Sequence, residues 1–165
     1  MKSLDLWREH AIKREGLRKK VYKDSLGKLT VGIGHLVLPE DNLRLGDEIS
    51  KERIEELFQK DTLPAYRAAC KQAKEIGCET PEFICALISV NFQLGTGWPQ
   101  VFKTSYPALV NKEYEKAITG FERSVWARQT PVRVEDFVNA IKNIRKETEQ
   151  QRRKTWSSLV KYLFG

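Results

Sequence analysis

The fold is decided by residues 15–36, which have the sequence EGLRKKVYKDSLGKLTVGIGHL. Apolar residues before Glu15 recur at helical spacing, and Gly16 is typical of a helix end, so the sequence predicts a first helix that ends at Glu15. Residues 21–24 and 29–36 have strand character and flank a short turn that contains glycine. The stretch therefore predicts a helix followed at once by a β-hairpin.

Outside this hairpin the sequence predicts only helices. A long helix is expected to begin at Ser50 and to end at Gly77, with a kink or a restart at Pro64. Further helical patterns cover residues 81–92, 105–111, 114–121, 134–148 and 152–164. The fold class is therefore predicted to be α+β and predominantly α-helical.

These elements predict two lobes within a single domain. Residues 17–50 are expected to form a small β-containing lobe, and residues 51–76 the long helix that joins it to the rest of the chain. Residues 1–16 and 77–165 are expected to form a larger helical lobe, in which the first helix packs with the later ones.

The composition narrows the classes of partner. Lys and Arg together number 29, and Asp and Glu number 22, so the formal net charge is +7. This excess favours an anionic partner such as nucleic acid, a lipid surface or an acidic wall polymer. With three cysteines, two histidines and no C-x-x-C motif, no metal site and no cofactor are expected. The sequence has neither the pattern of a signal peptide nor a membrane-spanning stretch, which predicts synthesis in the cytoplasm.

Two carboxylates of the opening stretch suit the cleavage of a glycosidic bond. That reaction needs one protonated acid and a second carboxylate that activates water or attacks the sugar. Glu15 emerges on the apolar side of its helix and at the negative end of the helix dipole, and both surroundings disfavour a charged carboxyl. Asp24 lies on a polar hairpin that suits an ionised carboxylate, and Thr30 on the returning strand could hold a water against it. The spacing alone also fits carboxylates that only cap a helix or form salt bridges.

The same residues match a known family. The opening stretch resembles the phage lysozymes of the T-even type, glycoside hydrolase family 24, at residues 15–18, 22–24, 27 and 30–36. Segments further along the chain resemble that family in the same order, at residues 58–61, 86–89, 92–95, 124–126 and 129–133. The matching segments cover most of the chain.

The resemblance implies a lysozyme-like fold and a lysozyme activity. The enzyme would be an N-acetylmuramidase that cuts the β-1,4 bond between N-acetylmuramic acid and N-acetylglucosamine in peptidoglycan. Glu15 matches the general acid of the family, and Asp24 matches the second carboxylate, which positions the attacking water together with Thr30. Enzymes of this type are described as inverting, and a covalent intermediate through Asp24 is the alternative.

The resemblance also implies residues that bind the saccharide. Leu36, Phe92 and Ser105 match positions that line the groove of the family. Arg133 matches an arginine that orients the catalytic glutamate, although its positive charge opposes the protonated state that an acid needs. Gly120 occupies a position where a polar groove residue is expected, which predicts a difference at the far end of the groove.

A histidine and an aspartate are expected to stabilise the fold. His35 and Asp61 match a histidine and an aspartate that form an ion pair in the family. The ion pair should raise the pKa of His35. A structural role is thereby predicted for His35 in place of a catalytic or metal-binding one.

The resemblance implies a function in host-cell lysis at the end of phage infection. The partner would be peptidoglycan, with no nucleic acid and no stable membrane insertion, and the protein would act as a monomer in the periplasm after release through a separate holin-type pore. Two other classes stay open from the residues alone, a non-catalytic wall-binding module and a basic nucleic-acid binder. The charged run at residues 145–154 predicts either a solvated helix face or a basic surface that guides the protein to murein or a membrane.

Overall fold

A computed structural model describes residues 2–164 of the chain. Its first part consists of helix α1 (Lys2–Glu15), strands β1 (Arg18–Lys23), β2 (Leu29–Gly32) and β3 (His35–Leu36), and a 3₁₀ turn at Pro39–Asp41. The helices that follow are α2 (Lys51–Ile76), α3 (Pro81–Leu94), α4 (Trp98–Val101), α5 (Ser105–Val110), α6 (Tyr114–Glu122), α7 (Val125–Gln129) and α8 (Pro131–Phe164). The predicted α+β, predominantly helical class is confirmed.

The three strands form one antiparallel sheet in the order β1-β2-β3. Tyr22 pairs with Thr30, and Thr30 pairs in turn with Leu36. The sequence predicted one returning strand over residues 29–36, and the structure has two. Gly32 and Gly34 have φ angles of 67° and 71°, which belong to the left-handed region, so the chain reverses between β2 and β3.

Helix α2 begins and ends where the sequence predicted. The hydroxyl of Ser50 accepts a hydrogen bond from the Arg53 amide, and Gly77 closes the helix with a φ of 81°. The sequence predicted a kink or a restart at Pro64. The restart is wrong, because α2 runs through this residue without interruption, and the kink stays a prediction. Strong helix formers on both sides of the proline and the burial of the following turns, including Ala65 and Ala69, keep the helix in one piece.

The helical part differs from the sequence expectation at its end. The two helices predicted over residues 134–148 and 152–164 are one helix, α8, since no glycine or proline separates them. Helices α4 and α7 were missed because four or five residues are too few to produce a helical repeat in the sequence.

The buried apolar residues form two clusters. The smaller cluster holds the sheet through Val21, Val31 and Leu57, of which the last lies on α2. The larger cluster fills the helical part and includes Ile54 and Phe58, also on α2. Helix α2 therefore contributes to both clusters and connects the sheet to the helical part.

The tryptophans lie mostly in the larger cluster. Trp126 is buried and packs edge-on against Phe121. Trp98 is buried against Tyr106 and Phe137. Within residues 2–164, none of the helices combines the length and the apolar character that crossing a membrane requires.

Candidate active site

Glu15 is the last residue of α1 and lies where the helical part meets the sheet. Trp7 and Ala11, on the same side of α1, are buried and fix the helix against the larger cluster. The amide of Gly16 donates to the Ile12 carbonyl at 2.9 Å, and its φ of 76° turns the chain away into β1. The side chain of Glu15 is 31% exposed, so its carboxyl reaches both protein and solvent.

Gly34 packs directly against Glu15. A Cβ atom built on Gly34 would lie 3.0 Å from Cγ and 3.2 Å from Cβ of Glu15. Such distances are shorter than ordinary carbon contacts, so any side chain at residue 34 would displace the glutamate. Gly34 thus provides both a bend in the chain and a close approach to another residue, two roles that glycine takes within a strand pattern.

Arg133 holds the carboxyl of Glu15 from the opposite side. Its Nη2 donates a hydrogen bond to Oε1 of Glu15, and its Nη1 donates to the hydroxyl of Ser89 at 3.3 Å. Two partners fix the guanidinium plane, which leaves the carboxyl little freedom to rotate. The contact therefore fixes the direction in which the carboxyl of Glu15 points.

A polar cluster behind Arg133 was missed by the sequence analysis. The hydroxyl of Ser89 also lies 3.4 Å from Nε2 of His10. Nη2 of Arg14 donates to both carboxylate oxygens of Asp136, each at 2.6 Å. Burial lowers the pKa of His10 and outweighs the opposing charge of Asp136. These residues come from α1, α3 and α8, and no short motif connects them.

Asp24 is held by the turn between β1 and β2. Its Oδ1 accepts hydrogen bonds from the amides of Leu26 and Lys28, both at 2.8 Å. Its own amide donates to the Lys28 carbonyl at 2.9 Å and continues the pairing of the two strands. The two amides engage Oδ1 and not Oδ2, so the turn fixes the orientation of the carboxylate.

Thr30 on β2 pairs with Tyr22 on β1, and Tyr22 precedes Asp24 by two residues. Since side chains alternate along a strand, Asp24 and Tyr22 share a face, and cross-strand partners share it too. Leu36 pairs with Thr30 and is 44% exposed, so Asp24, Thr30 and Leu36 lie on one face of the sheet. The hydroxyl of Thr30 donates to the Lys28 carbonyl at 3.3 Å, and the residue is 5% exposed.

The other face of the sheet carries the histidine. Nδ1 of His35 lies 2.7 Å from Oδ2 of Asp61 on α2, the partner expected from the sequence. Nε2 lies 2.9 Å from Oδ2 of Asp41, a partner that the sequence analysis missed. The Leu38 amide donates to the same oxygen of Asp41 at 2.8 Å. The 3₁₀ turn thereby orients this carboxylate toward His35 on β3.

The contacts of His35 with Asp61 and Asp41 shift the pKa values of His35 and Asp41. The hydrogen bond to Asp61 raises the pKa of His35 against the opposing effect of burial, and the bond to Asp41 adds to the rise. Burial alone would raise the pKa of Asp41, but the hydrogen bonds from His35 and the Leu38 amide outweigh it and lower that pKa. The structure therefore supports a buried imidazolium between two carboxylates.

The remaining predicted groove residues lie in the helical part. Phe92, on α3, is half-buried and packs against Trp7 with ring centroids 5.1 Å apart. Ser105, at the start of α5, is 6% exposed, and a Cβ on Gly120 would come within 2.0 Å of its hydroxyl oxygen. The glycine at position 120 thus leaves space that the hydroxyl of Ser105 fills.

Glu15 contacts Arg133 and Gly34 where the helical part meets the sheet. Asp24 lies in the turn between β1 and β2, on the sheet face that Thr30 occupies. Two carboxyl groups in different surroundings are the groups that general acid and base catalysis uses. Within residues 2–164, no group of three or more His, Cys, Asp or Glu side chains is arranged to hold a metal ion.

Comparison with known proteins places the whole region within one family. The family model described as phage lysozyme matches residues 12–149. The chain is 31% identical over 132 residues to the peptidoglycan hydrolase gp36 of Pseudomonas phage phiKMV, covering 80% of this chain and 14% of that protein. It is 30% identical over 138 residues to the pre-baseplate central spike protein Gp5 of Enterobacteria phage T4, covering 70% of this chain and 24% of that protein.

A cellular relative matches over most of its length. The chain is 27% identical over 141 residues to the probable T4-type lysozyme 2 of Dictyostelium discoideum, covering 72% of this chain and 83% of that protein. The two phage relatives are much longer, and the chain spans only about a seventh to a quarter of them. The family match over residues 12–149 contains Glu15, Asp24, Thr30 and Arg133.

Proposed function

The chain belongs to the phage lysozyme family, and from that membership we propose that it is an N-acetylmuramidase. It hydrolyses the β-1,4 bond between N-acetylmuramic acid and N-acetylglucosamine in peptidoglycan. The observation that carries the proposal is the position of Glu15 at the end of α1, between Arg133 and the Gly34 turn. The names of the relatives support it, since one is a peptidoglycan hydrolase and another a probable T4-type lysozyme.

Glu15 is proposed as the general acid. It donates its proton to the glycosidic oxygen as the bond to the anomeric carbon breaks. In the free protein Arg133 holds the carboxyl in place. A saccharide that covers the junction removes water from the carboxyl and favours the protonated form, so the substrate itself prepares the acid.

Asp24 and Thr30 are proposed to position the attacking water. Asp24 is the proposed base, and the two amides that its Oδ1 accepts from hold its carboxylate in a fixed orientation. Water attacks the anomeric carbon from the face opposite the leaving oxygen, so the configuration is inverted. The water transfers its proton to Asp24. This geometry requires about 6.5–9.5 Å between the carboxyl groups, whereas a covalent intermediate through Asp24 requires about 5–5.5 Å.

The sugar units are proposed to lie along the exposed sheet face and the adjoining helices. Leu36 offers an exposed apolar surface next to Thr30, and Phe92 offers an aromatic edge from α3. Ser105 is largely covered, so we assign it to the wall of the groove. The proposed division into a sheet lobe and a helical lobe, joined by α2, allows the groove to open for a polymer.

The biological setting proposed is lysis of the host at the end of phage infection. The protein is made in the bacterial cytoplasm and reaches the wall in the periplasm through a holin-type pore, as a monomer. The lengths of the first two phage relatives favour a second setting, because the chain matches only a small part of each. In that setting the same activity opens the wall locally as one module of a larger phage protein.

The decisive variant is Glu15→Gln, which keeps the shape of the side chain and removes the acid. We expect it to abolish clearing of outer-membrane-permeabilised Gram-negative cells, while the matched variant Glu9→Gln, at an exposed position of the same helix, clears like the wild type. A wall-binding module or a nucleic-acid binder would be indifferent to Glu15→Gln. Equal clearing by the two variants would therefore refute the proposed acid.

The bond and the stereochemistry need a product analysis. We expect mass spectrometry of digested murein to find N-acetylmuramic acid at the new reducing ends, and NMR of fresh product to find the α-anomer. Reducing ends of N-acetylglucosamine would instead define a glucosaminidase. An initial β-anomer would support the covalent intermediate through Asp24.

A further inference from the structure

The end of helix α8 leaves the packed body of the protein. The first part of this helix buries Val134, Phe137, Val138, Ile141 and Ile144. The hydroxyl of Thr148 still lies 3.4 Å from that of Tyr114 on α6. Beyond that contact every residue of 150–164, here called the distal segment, is exposed. The match to the family ends at residue 149, so the proposed muramidase activity gives no reason for the distal segment.

An apolar stripe runs along the distal segment. It consists of Trp156, Leu159, Val160 and Leu163. Their spacing of three, four and seven residues places them within about 100° of arc on one side of the helix. Trp156 is 68% exposed and Leu163 is 59% exposed. Single exposed apolar residues are ordinary, but a contiguous stripe of large ones marks an interaction surface.

The charge of the distal segment has one sign. It contains Arg152, Arg153, Lys154 and Lys161, and neither Asp nor Glu. Lys154 and Lys161 are seven residues apart, so they point in the same direction, opposite the apolar stripe. The segment is therefore a basic amphipathic helix.

We propose that the distal segment binds the surface of a membrane rich in anionic phospholipid. The helix lies in the plane of the interface, with Trp156, Leu159 and Leu163 at the level of the acyl chains and the cations among the phosphate groups. Fifteen residues of helix extend over about 22 Å, which is shorter than the ~30 Å hydrocarbon core. Binding to the surface is thus expected, and not insertion across the membrane.

Charge complementarity selects this occupant over the alternatives. The distal segment of a second copy would cover the stripe but would offer no anionic group to the four cations, and its own cations would add repulsion. Murein offers anionic groups but no apolar layer that would accept Leu159 and Leu163. Only an anionic lipid surface satisfies both faces of the helix at once.

The test uses the tryptophan of the distal segment as a reporter. Trp7, Trp98 and Trp126 are at most 5% exposed, so a change in emission on binding comes from Trp156. We expect phosphatidylglycerol vesicles to shift the emission to shorter wavelength and to co-sediment with the protein, and phosphatidylcholine vesicles to do neither. Raised salt should weaken the binding, because the attraction between charges is screened. Trp156→Phe should still bind but lose the shift.

Two sets of variants test the two faces. Leu159→Glu with Leu163→Glu should weaken binding to phosphatidylglycerol at least about tenfold, whereas Val101→Glu with Val125→Glu, at exposed positions of α4 and α7, should have little effect. Lys154→Glu with Lys161→Glu should weaken it similarly, and the exposed pair Lys71→Glu and Lys103→Glu should not. Glu15→Gln should bind like the wild type, so membrane binding and hydrolysis can fail independently.

Several outcomes would overturn the proposal. One is the absence of binding to phosphatidylglycerol vesicles at low salt, and another is equal binding by the stripe variants and their controls. A third is a concentration-dependent dimer that Leu163→Glu dissolves, which would assign the stripe to a second copy. Binding to murein but not to vesicles, or blue-shifted Trp156 emission in the free protein, would assign it to the wall or to the protein's own body.

Discussion

Arg133 donates a hydrogen bond to Glu15 across 118 residues of sequence, and this contact joins the start of α8 to the end of α1. The same guanidinium bonds Ser89 on α3. Three helices thus meet at one side chain, and the carboxyl at the end of α1 is oriented by residues that are distant in the sequence.

Removal of this guanidinium should impair the reaction. Arg133→Ala is expected to reduce murein hydrolysis by about ten- to a hundredfold, because Glu15 loses the group that fixes its orientation. The loss should appear in kcat more than in KM, as measured by release of reducing ends at several murein concentrations. Arg133→Lys keeps the charge but not the forked geometry, so a partial recovery is expected. Full activity of Arg133→Ala would contradict an orienting role.

A variant of Asp24 can separate the structural role of its carboxylate from the chemical role. In Asp24→Asn the amide oxygen can still accept hydrogen bonds from the Leu26 and Lys28 amides, so the turn and the melting temperature should hardly change. Hydrolysis should fall by about a hundredfold or more, because the base is lost. Asp24→Glu should also be impaired, since the added methylene displaces the carboxylate. A variant Asp24→Asn that is as active as the wild type would remove Asp24 from the mechanism.

Position 34 should not tolerate even the single methyl group of alanine. Gly34→Ala places a Cβ 3.0 Å from Cγ of Glu15 and adopts a φ of 71°, so both activity and stability should fall. Gly46→Ala is the matched control, because its φ is 90° and no atom lies within 4 Å of the added Cβ. Each variant should lose about 1–2 kcal/mol in the free energy of unfolding from backbone strain. Only Gly34→Ala should also lose hydrolysis, by displacing the glutamate.

The pair of His35 and Asp61 should make stability depend on pH. The pKa of His35 is raised in the folded state, so its contribution is fully present below the unfolded value near 6.5 and is lost as the pH rises through the folded value. The lowered pKa of Asp41 limits the contribution at the acid end, where protonation of that carboxyl removes it. The contribution is therefore greatest in weakly acidic solution.

Asp61→Asn tests this window. At pH 5 it should lower the free energy of unfolding by about 1–3 kcal/mol, because a hydrogen bond to a charged, buried group is lost. The difference from the wild type should shrink once the pH exceeds the folded pKa of His35. Urea unfolding from pH 5 to 9 provides the measurement, with the exposed Asp5→Asn as control. If the free energies of unfolding of wild type and Asp61→Asn changed with pH in parallel, the ion pair would not be the cause of the pH dependence.

The sequence predicted the elements whose signals are local. Gly16 ends α1, Ser50 caps α2, and the turn at Gly27 joins β1 to β2, because each of these effects depends on a few neighbouring residues. The continuity of α2 through Pro64 depends on tertiary packing. The partnership of Asp41 with His35 depends on the exact path of the 3₁₀ turn at Pro39–Asp41. No periodicity or composition reveals either.

The candidate site shows the same division. Glu15, Asp24 and Thr30 stood out because their residue types and their places on a helix end and a hairpin suit the chemistry. Ser89 and His10 lie on separate helices that meet only in the folded protein, so their position behind Arg133 could not be inferred from spacing. The region beyond residue 149 was expected as a separate helix, and its continuation of α8 became apparent only from the structure.

Helix α2 has a mechanical consequence through its part in both apolar clusters. Leu57 anchors the sheet that carries Asp24, while Phe58, the next residue, anchors the core on which α1 and Glu15 rest. The contact between Gly34 and Glu15 and the burial of Ile33 in the larger cluster add to this connection. A substitution that alters the curvature of α2 would therefore shift the sheet relative to the core and change the separation of the two carboxylates without touching either acid.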